Sequence, residues 1–175
     1  MFRNNSNNNK NESWEVVFPE LPTALSMIKR LPEADLTEPH YAAALLIPAL
    51  CVWPTDQTAA IEMLEFLSGP KGLSPREIQF TNDRLRGKAY LPSSYFQGSS
   101  PENGYTPSLP YTVRIFSVPT SFAEPGYAKL YLKSSGADSL RPVQLRKKES
   151  TGEWFLWDEM LLSEIRVPVS NDPWA

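Results

Sequence analysis

The chain is poor in the residues on which most enzymes and metalloproteins depend. It has one histidine and one cysteine in 175 residues. A single thiol excludes an intramolecular disulfide, and one thiol with one imidazole cannot complete a tetrahedral zinc site without carboxylate help. No metal and no cofactor is expected. There is no Gly-x-Ser-x-Gly elbow, and His40 is the only imidazole that could serve a serine as base. Gly69 to Gly72 lacks the Lys-Ser/Thr ending of a phosphate-binding loop. No catalytic set is therefore expected.

Charge of one sign is scarce as well. Seventeen Lys and Arg face 20 Asp and Glu, for a net charge of −3, which argues against a generic nucleic-acid binder. Long hydrophobic runs are missing: Tyr41 to Trp53 is interrupted by Pro48 and is too short to cross a bilayer. Met1-Phe2-Arg3 and the asparagines that follow lack the apolar stretch of a signal peptide. Cys51, in its apolar setting, fits a reducing compartment. The cytoplasm is the expected location, without a membrane partner.

What the chain does have is 41% hydrophobic residues, enough for one core, and 17 prolines, which imply short elements and stiff loops. Residues 1–13 are Asn-rich and carry too little apolar surface to offset their ordering entropy, so a disordered arm is expected. Residues 14–175 then read as a single domain. Trp14 to Phe18 is a strand or an extended lead-in. Leu21, Leu25, Ile28 and Leu31 recur at helical spacing until Pro32. A second helix is expected from a Thr37 cap through Val52, with a kink or early end near Ala44 imposed by Pro48. A third follows Thr55 or Asp56 and stops at Gly69-Pro70. Ser74-Pro75-Arg76-Glu77 is a capping box opening a fourth, which Gly87 ends.

Lys88 to Pro110 is dense in Pro, Gly, Ser and Asn, with Tyr90, Tyr95, Phe96 and Tyr105 interleaved. A loop of this length is either functional or held down by its own aromatics. Tyr111 to Val118 is strand-like. Tyr127 to Lys133 alternates, with Ala128, Leu130 and Leu132 on one face and Tyr127, Lys129, Tyr131 and Lys133 on the other. Val143 to Lys148 and Glu153 to Asp158 complete the ladder, and Met160 to Ile165 reads as a helical turn or irregular cap. The expected fold is α+β: about four N-terminal helices packed on a curved four-strand antiparallel sheet.

Two resemblances attach to these segments. Gly126 to Leu132, Arg141 to Arg146 and Glu153 to Trp157 resemble the closing strands of cone-shaped ketosteroid-isomerase-like (nuclear transport factor-like) folds. The span from Pro39 onward resembles an uncharacterised bacterial domain family of unknown function. It does so through Pro92 to Phe96, Ser100 to Ser108, Ser135 to Ser139 and Asp172 to Ala175. The first implies a pocket between the second helix and the sheet, near Tyr41, Trp53, Trp154 and Trp157. The second implies no activity.

His40 and Cys51 are expected to be structural. Adjacent Asp158 and Glu159 should point to opposite faces of a strand and not cooperate. The candidate binding residues are the loop aromatics Tyr95 and Tyr105, the sheet face of Tyr127, Lys129, Tyr131, Lys133 and Arg146, and Trp154. Together they suggest a non-enzymatic binding or protein-interaction module. It would take an anionic ligand or an acidic partner by charge and aromatic contact, with a homodimer through the same face as one outcome. The alternative is a small-molecule pocket protein or isomerase-like enzyme of the cone type.

Overall fold

The computed structural model describes residues 11–175. Its sheet has five antiparallel strands in sequential order: β1 (Ser13–Phe18), β2 (Tyr111–Phe116), β3 (Tyr127–Leu132), β4 (Arg141–Lys148) and β5 (Glu153–Glu159). The helices are α1 (Leu25–Ile28), α2 (Pro39–Val52), α3 (Gln57–Ser68), α4 (Pro75–Leu85) and α5 (Tyr90–Ser93). Helices come mostly first and strands mostly last, which is the α+β order read from the sequence.

The sheet has one strand more than expected. Trp14 to Phe18 is not a lead-in but pairs along its whole length with β2, from Ser13 opposite Phe116 to Phe18 opposite Tyr111. Val16 and Phe18 alternate inward, which a half-buried strand requires. The expected arm of residues 1–13 lies largely outside the described residues. Its last part is already ordered, since the Glu12 amide donates to the Ser117 hydroxyl at 2.9 Å and Ser13 begins β1.

The inner face of the sheet is built from Val16, Val113, Ile115, Ala128, Leu130, Leu132, Val143 and Leu145, all buried. These include Leu130 and Leu132 of β3 and Val143 and Leu145 of β4, which alternate with outward-facing residues. α2 lies against them. Twelve of its residues are buried, including Ala42 to Leu50, and Pro48 does not end it. An internal proline costs roughly 3 kcal/mol, whereas each buried Leu or Ile contributes about 1.5–3 kcal/mol, and α2 buries several. Thr37 is not its cap. Asp35 Oδ1 accepts from both the Thr37 amide and its hydroxyl, and Glu38 takes the cap position without a side-chain bond.

The first helix shrinks to one turn. Ala24 has no side chain with which to cap it, and Pro32 holds Leu31 in extended backbone before a 3-10 turn. α3 and α4 begin where their caps place them. Asp56 accepts from the Ala59 amide at 3.0 Å, and Ser74 and Glu77 close a reciprocal capping box at 3.1 and 2.8 Å.

The long loop between α4 and β2 is held down by its aromatics. Tyr95 and Tyr105 are each 2% exposed. Their hydroxyls donate to the Leu161 and Arg166 carbonyls, each at 2.5 Å, across 66 and 61 residues of sequence. Ser94, Ser99, Ser134 and Ser135 form a hydrogen-bonded cluster that joins this loop to the Ser134–Ser139 turn. Residues 160–166 are not helical, yet Leu161, Leu162 and Ile165 are buried.

Candidate functional site

The sequence-predicted residues do not form one surface. Tyr95 and Tyr105 are corrected from interface to interior: their rings face the core and their hydroxyls are already satisfied, so neither offers itself to a partner. Lys129 and Lys133 are exposed and Tyr131 is half-buried. Tyr127 sits directly opposite Arg146 across β3 and β4. The Arg146 guanidinium lies 5.5 Å from the Tyr127 ring centre and 4.7 Å from that of Trp157. Tyr127 and Trp157 meet edge to face at 5.9 Å. The structure therefore draws Arg146 and Tyr127 toward β5. Trp154 stays apart from Trp157, with Lys147 over its ring at 6.0 Å.

The two single-copy residues are structural in their surroundings. His40 is buried, stacked on Trp14 at 4.6 Å and met edge-on by Tyr41 at 4.7 Å. Burial lowers its pKa to about 4, so the ring is neutral near pH 7. Burial likewise pushes the Cys51 thiol up to about 12, only partly countered by a hydrogen bond with Ser93. This thiol is inert as a nucleophile. Among the described residues, no group of three or more His, Cys, Asp or Glu could hold a metal ion, and no helix is long and apolar enough to cross a membrane.

The concave ground lies along β5. A first cleft of about 320 Å³ is floored by Leu46 and Leu50 of α2, Leu64 of α3 and Leu156 of β5. Its walls are Phe80, Thr81 and Glu77 of α4 on one side and Trp157, Asp158 and Glu159 on the other. A second cleft of about 540 Å³ shares Ser68, Lys71, Leu156 and Trp157 with the first, and adds Arg146, Lys147, Lys148, Glu149 and Phe155. The two form one groove with an apolar half and a basic half.

An irregularity in the sheet shapes this groove. Leu145 pairs with Leu156 and Gln144 with Asp158, which leaves Trp157 as the extra residue of a bulge. Beyond it Glu159 stands opposite Val143, an inward position. A carboxylate has thus been carried onto the apolar face. Burial raises its pKa, as does the charge of Asp158, while a 2.6 Å bond accepted from the Leu161 amide opposes the rise. Asp158 and Glu159 do face opposite sides of the strand, as adjacency implies, yet both reach the cleft because it opens at the strand's end.

α4 forms one wall of the first cleft. Leu85 is its one buried residue, and Phe80 is 45% exposed with Arg84 stacked on it at 5.1 Å. An ion pair between Lys71 and Glu77 links its first turn to the 3-10 turn after α3. Burial acts to raise the Glu77 pKa, but the bonds from Lys71 and Ser74 outweigh it and hold the carboxyl low.

Lys71, Phe80, Phe155 and Glu159 were not among the sequence-predicted site residues. Phe80 carried a signal, being a large apolar residue on a helix whose other positions are mostly polar. Glu159 carried none, because its facing depends on the bulge. No curated protein and no solved structure matches the chain. One family model does, Domain of unknown function (DUF6935), over residues 20–169, and the chain belongs to that family.

Proposed function

We propose that this domain is a non-enzymatic binding module whose ligand or protein partner occupies the groove along β5. The observation that carries this reading is the junction of the two clefts. Leu156 and Trp157 of β5 carry the apolar lining of the first cleft, with Phe80 exposed on its wall, directly into the cluster of cations that lines the second. Exposed apolar surface rimmed by charge marks recognition sites more than it marks plain solvent-facing surface. The loop aromatics drop out of the interface, and the Tyr127–Arg146–Trp157 cluster takes their place. The outward Lys129, Tyr131 and Lys133 remain the face for a homodimer. A bacterial cytoplasmic setting accompanies this reading, in keeping with one half-buried free thiol.

The test is a fragment-library titration of the isotope-labelled chain followed by amide and indole NMR. Binders should shift Leu64, Phe80, Leu156 and Trp157 together. Shifts confined to Lys129 and Lys133, or spread without a centre, would remove the groove from consideration.

A second reading, a small-molecule pocket protein, is favoured by Glu159. Both clefts fall near or within the roughly 300–1,000 Å³ of small-molecule sites, and a carboxylate with a raised pKa inside one is the kind of group that does acid–base work. The cone-type location between α2 and the sheet is occupied by packed side chains: Ala43, Leu45, Ile47, Leu130 and Val143 have no exposed surface. An isomerase-like activity would therefore have to use the β5 groove. It would disappear on Glu159→Gln with the fold intact.

A further inference from the structure

We propose that the second cleft is the site of a small ligand that joins an acidic group to a flat ring. The inference rests on the binding reading of the β5 groove and names the chemistry of what binds there.

Three consecutive cations, Arg146, Lys147 and Lys148, line this cleft, against one carboxylate, Glu149. In a chain of net charge −3, that local excess runs against the overall balance. Among the described residues, none of the three is in an ion pair; the pairs are Lys71–Glu77, Arg86–Asp83 and Arg166–Asp138. Arg146 and Lys148 share one face of β4 while Lys147 turns to Trp154 at its edge; like charges side by side repel, and an anion between Arg146 and Lys148 relieves that repulsion. Lys71 is engaged by Glu77 and serves as the link between the two clefts.

Arg146 is the most specific of these groups. Its guanidinium carbon lies over the Trp157 ring at 4.7 Å and over the Tyr127 ring at 5.5 Å. A cation–π contact supplies no hydrogen-bond acceptor in the manner of a carboxylate, so the guanidinium keeps the N–H fork that can grip a carboxylate or phosphate with two parallel bonds. The ring requirement comes from the rest of the lining. A cavity of about 540 Å³ is far larger than an inorganic anion, and Pro70, Phe155, Leu156 and Trp157 give it an apolar wall. Aryl carboxylates and aryl phosphate esters share the required chemistry.

The experiment titrates the full chain with four probes and follows the tryptophan indole NMR signals: 2-naphthoate, 2-naphthyl phosphate, the neutral 2-naphthalenemethanol and inorganic phosphate. The expected result is that both naphthyl anions bind about tenfold or more tighter than the neutral alcohol, in line with a charge-assisted bond. Their ranking tells carboxylate from phosphate preference. Arg146→Gln should weaken both by about tenfold, and exposed Lys148→Gln by a smaller factor with an unchanged melting temperature. Equal binding by the neutral alcohol would overturn the anion assignment and leave the groove standing. Equal binding by inorganic phosphate would overturn the ring. No binding by any probe would overturn this proposal, while the fragment titration decides separately whether the groove takes other ligands. Arg146→Lys keeps the charge without the fork, and binding at full wild-type strength there would overturn the bidentate role.

Discussion

α4 and the segment 160–166 are opposites in regularity and in attachment. α4 is a capped helix, and its first turn is closed by a reciprocal box, yet Leu85 is its one buried residue. Segment 160–166 has no regular structure, yet it buries Leu161, Leu162 and Ile165. It is tied by hydroxyls from Tyr95 and Tyr105, by Arg141 to the Glu164 carbonyl at 3.0 Å, and by the Arg166 amide to Gly136 at 2.9 Å. The lesson is that local hydrogen bonding specifies a helix, while burial and long-range bonds decide how firmly a segment belongs to the fold. The segment beside the groove is the regular one that is loosely held, the usual condition of parts that accommodate a ligand.

Acid is the strongest expected lever on the body that holds both segments. An unfolded histidine titrates near 6.5, and burial lowers His40 to about 4. The folded state thus favours the neutral ring. This contribution is complete above about pH 6.5 and is lost as pH falls toward 4, to the extent of roughly 3 kcal/mol. Denaturant unfolding at pH 7 and 4.5 should register the loss, and His40→Phe should flatten it. An unchanged slope in the variant would place the acid sensitivity elsewhere.

Gly136→Ala should come next and act where segment 160–166 is fastened to the Tyr105 loop. A methyl there would lie 2.7 Å from Ile165 Cγ2 and collide with the Tyr105 hydroxyl, for a loss of about 2–3 kcal/mol in global unfolding. Tyr95→Phe should cost about 1–3 kcal/mol, because the Leu161 carbonyl is left buried without its donor. On the α4 side, Ser74→Ala should cost about 1 kcal/mol. Its effect should appear as faster amide exchange within 75–85, with little change in the global melt. Phe80→Ala should fall within about 0.5 kcal/mol of the parent, as surface positions do. If Ser74→Ala and Tyr95→Phe lowered global stability equally, the contrast between the two segments would be void.

The sequence was most readable where the determinants are local. The Ser74 and Asp56 caps and the alternation of Ala128, Leu130 and Leu132 all appear as written, because each depends on residues a few positions away. The candidate site was harder to read. Tyr95 and Tyr105 looked like an aromatic surface, because nothing nearby in the chain announces acceptors more than 60 residues downstream. β1 was left undecided for the same reason, since its partner lies about a hundred residues away. Arg146 and Tyr127 were found through alternation, whereas Lys71 and Phe155 reach the groove only through the way the turn after α3 folds over β5. There Gly69, at φ +54°, lets the backbone approach the Phe155 ring within a distance that no side chain would permit.

The unpaired Trp157 works as a phase shifter for everything that follows it. Deleting that one residue would leave Leu156, Asp158 and Glu159 opposite Leu145, Gln144 and Val143, so the strand would straighten with both carboxylates still on their present faces. Arg146, however, would lose one of the two rings over which its guanidinium lies. A single codon therefore sets the aim of the cation in one half of the groove while the facing of the acids in the other half survives without it, so this is the place in β5 where a shortened strand should cost ligand contacts rather than the fold.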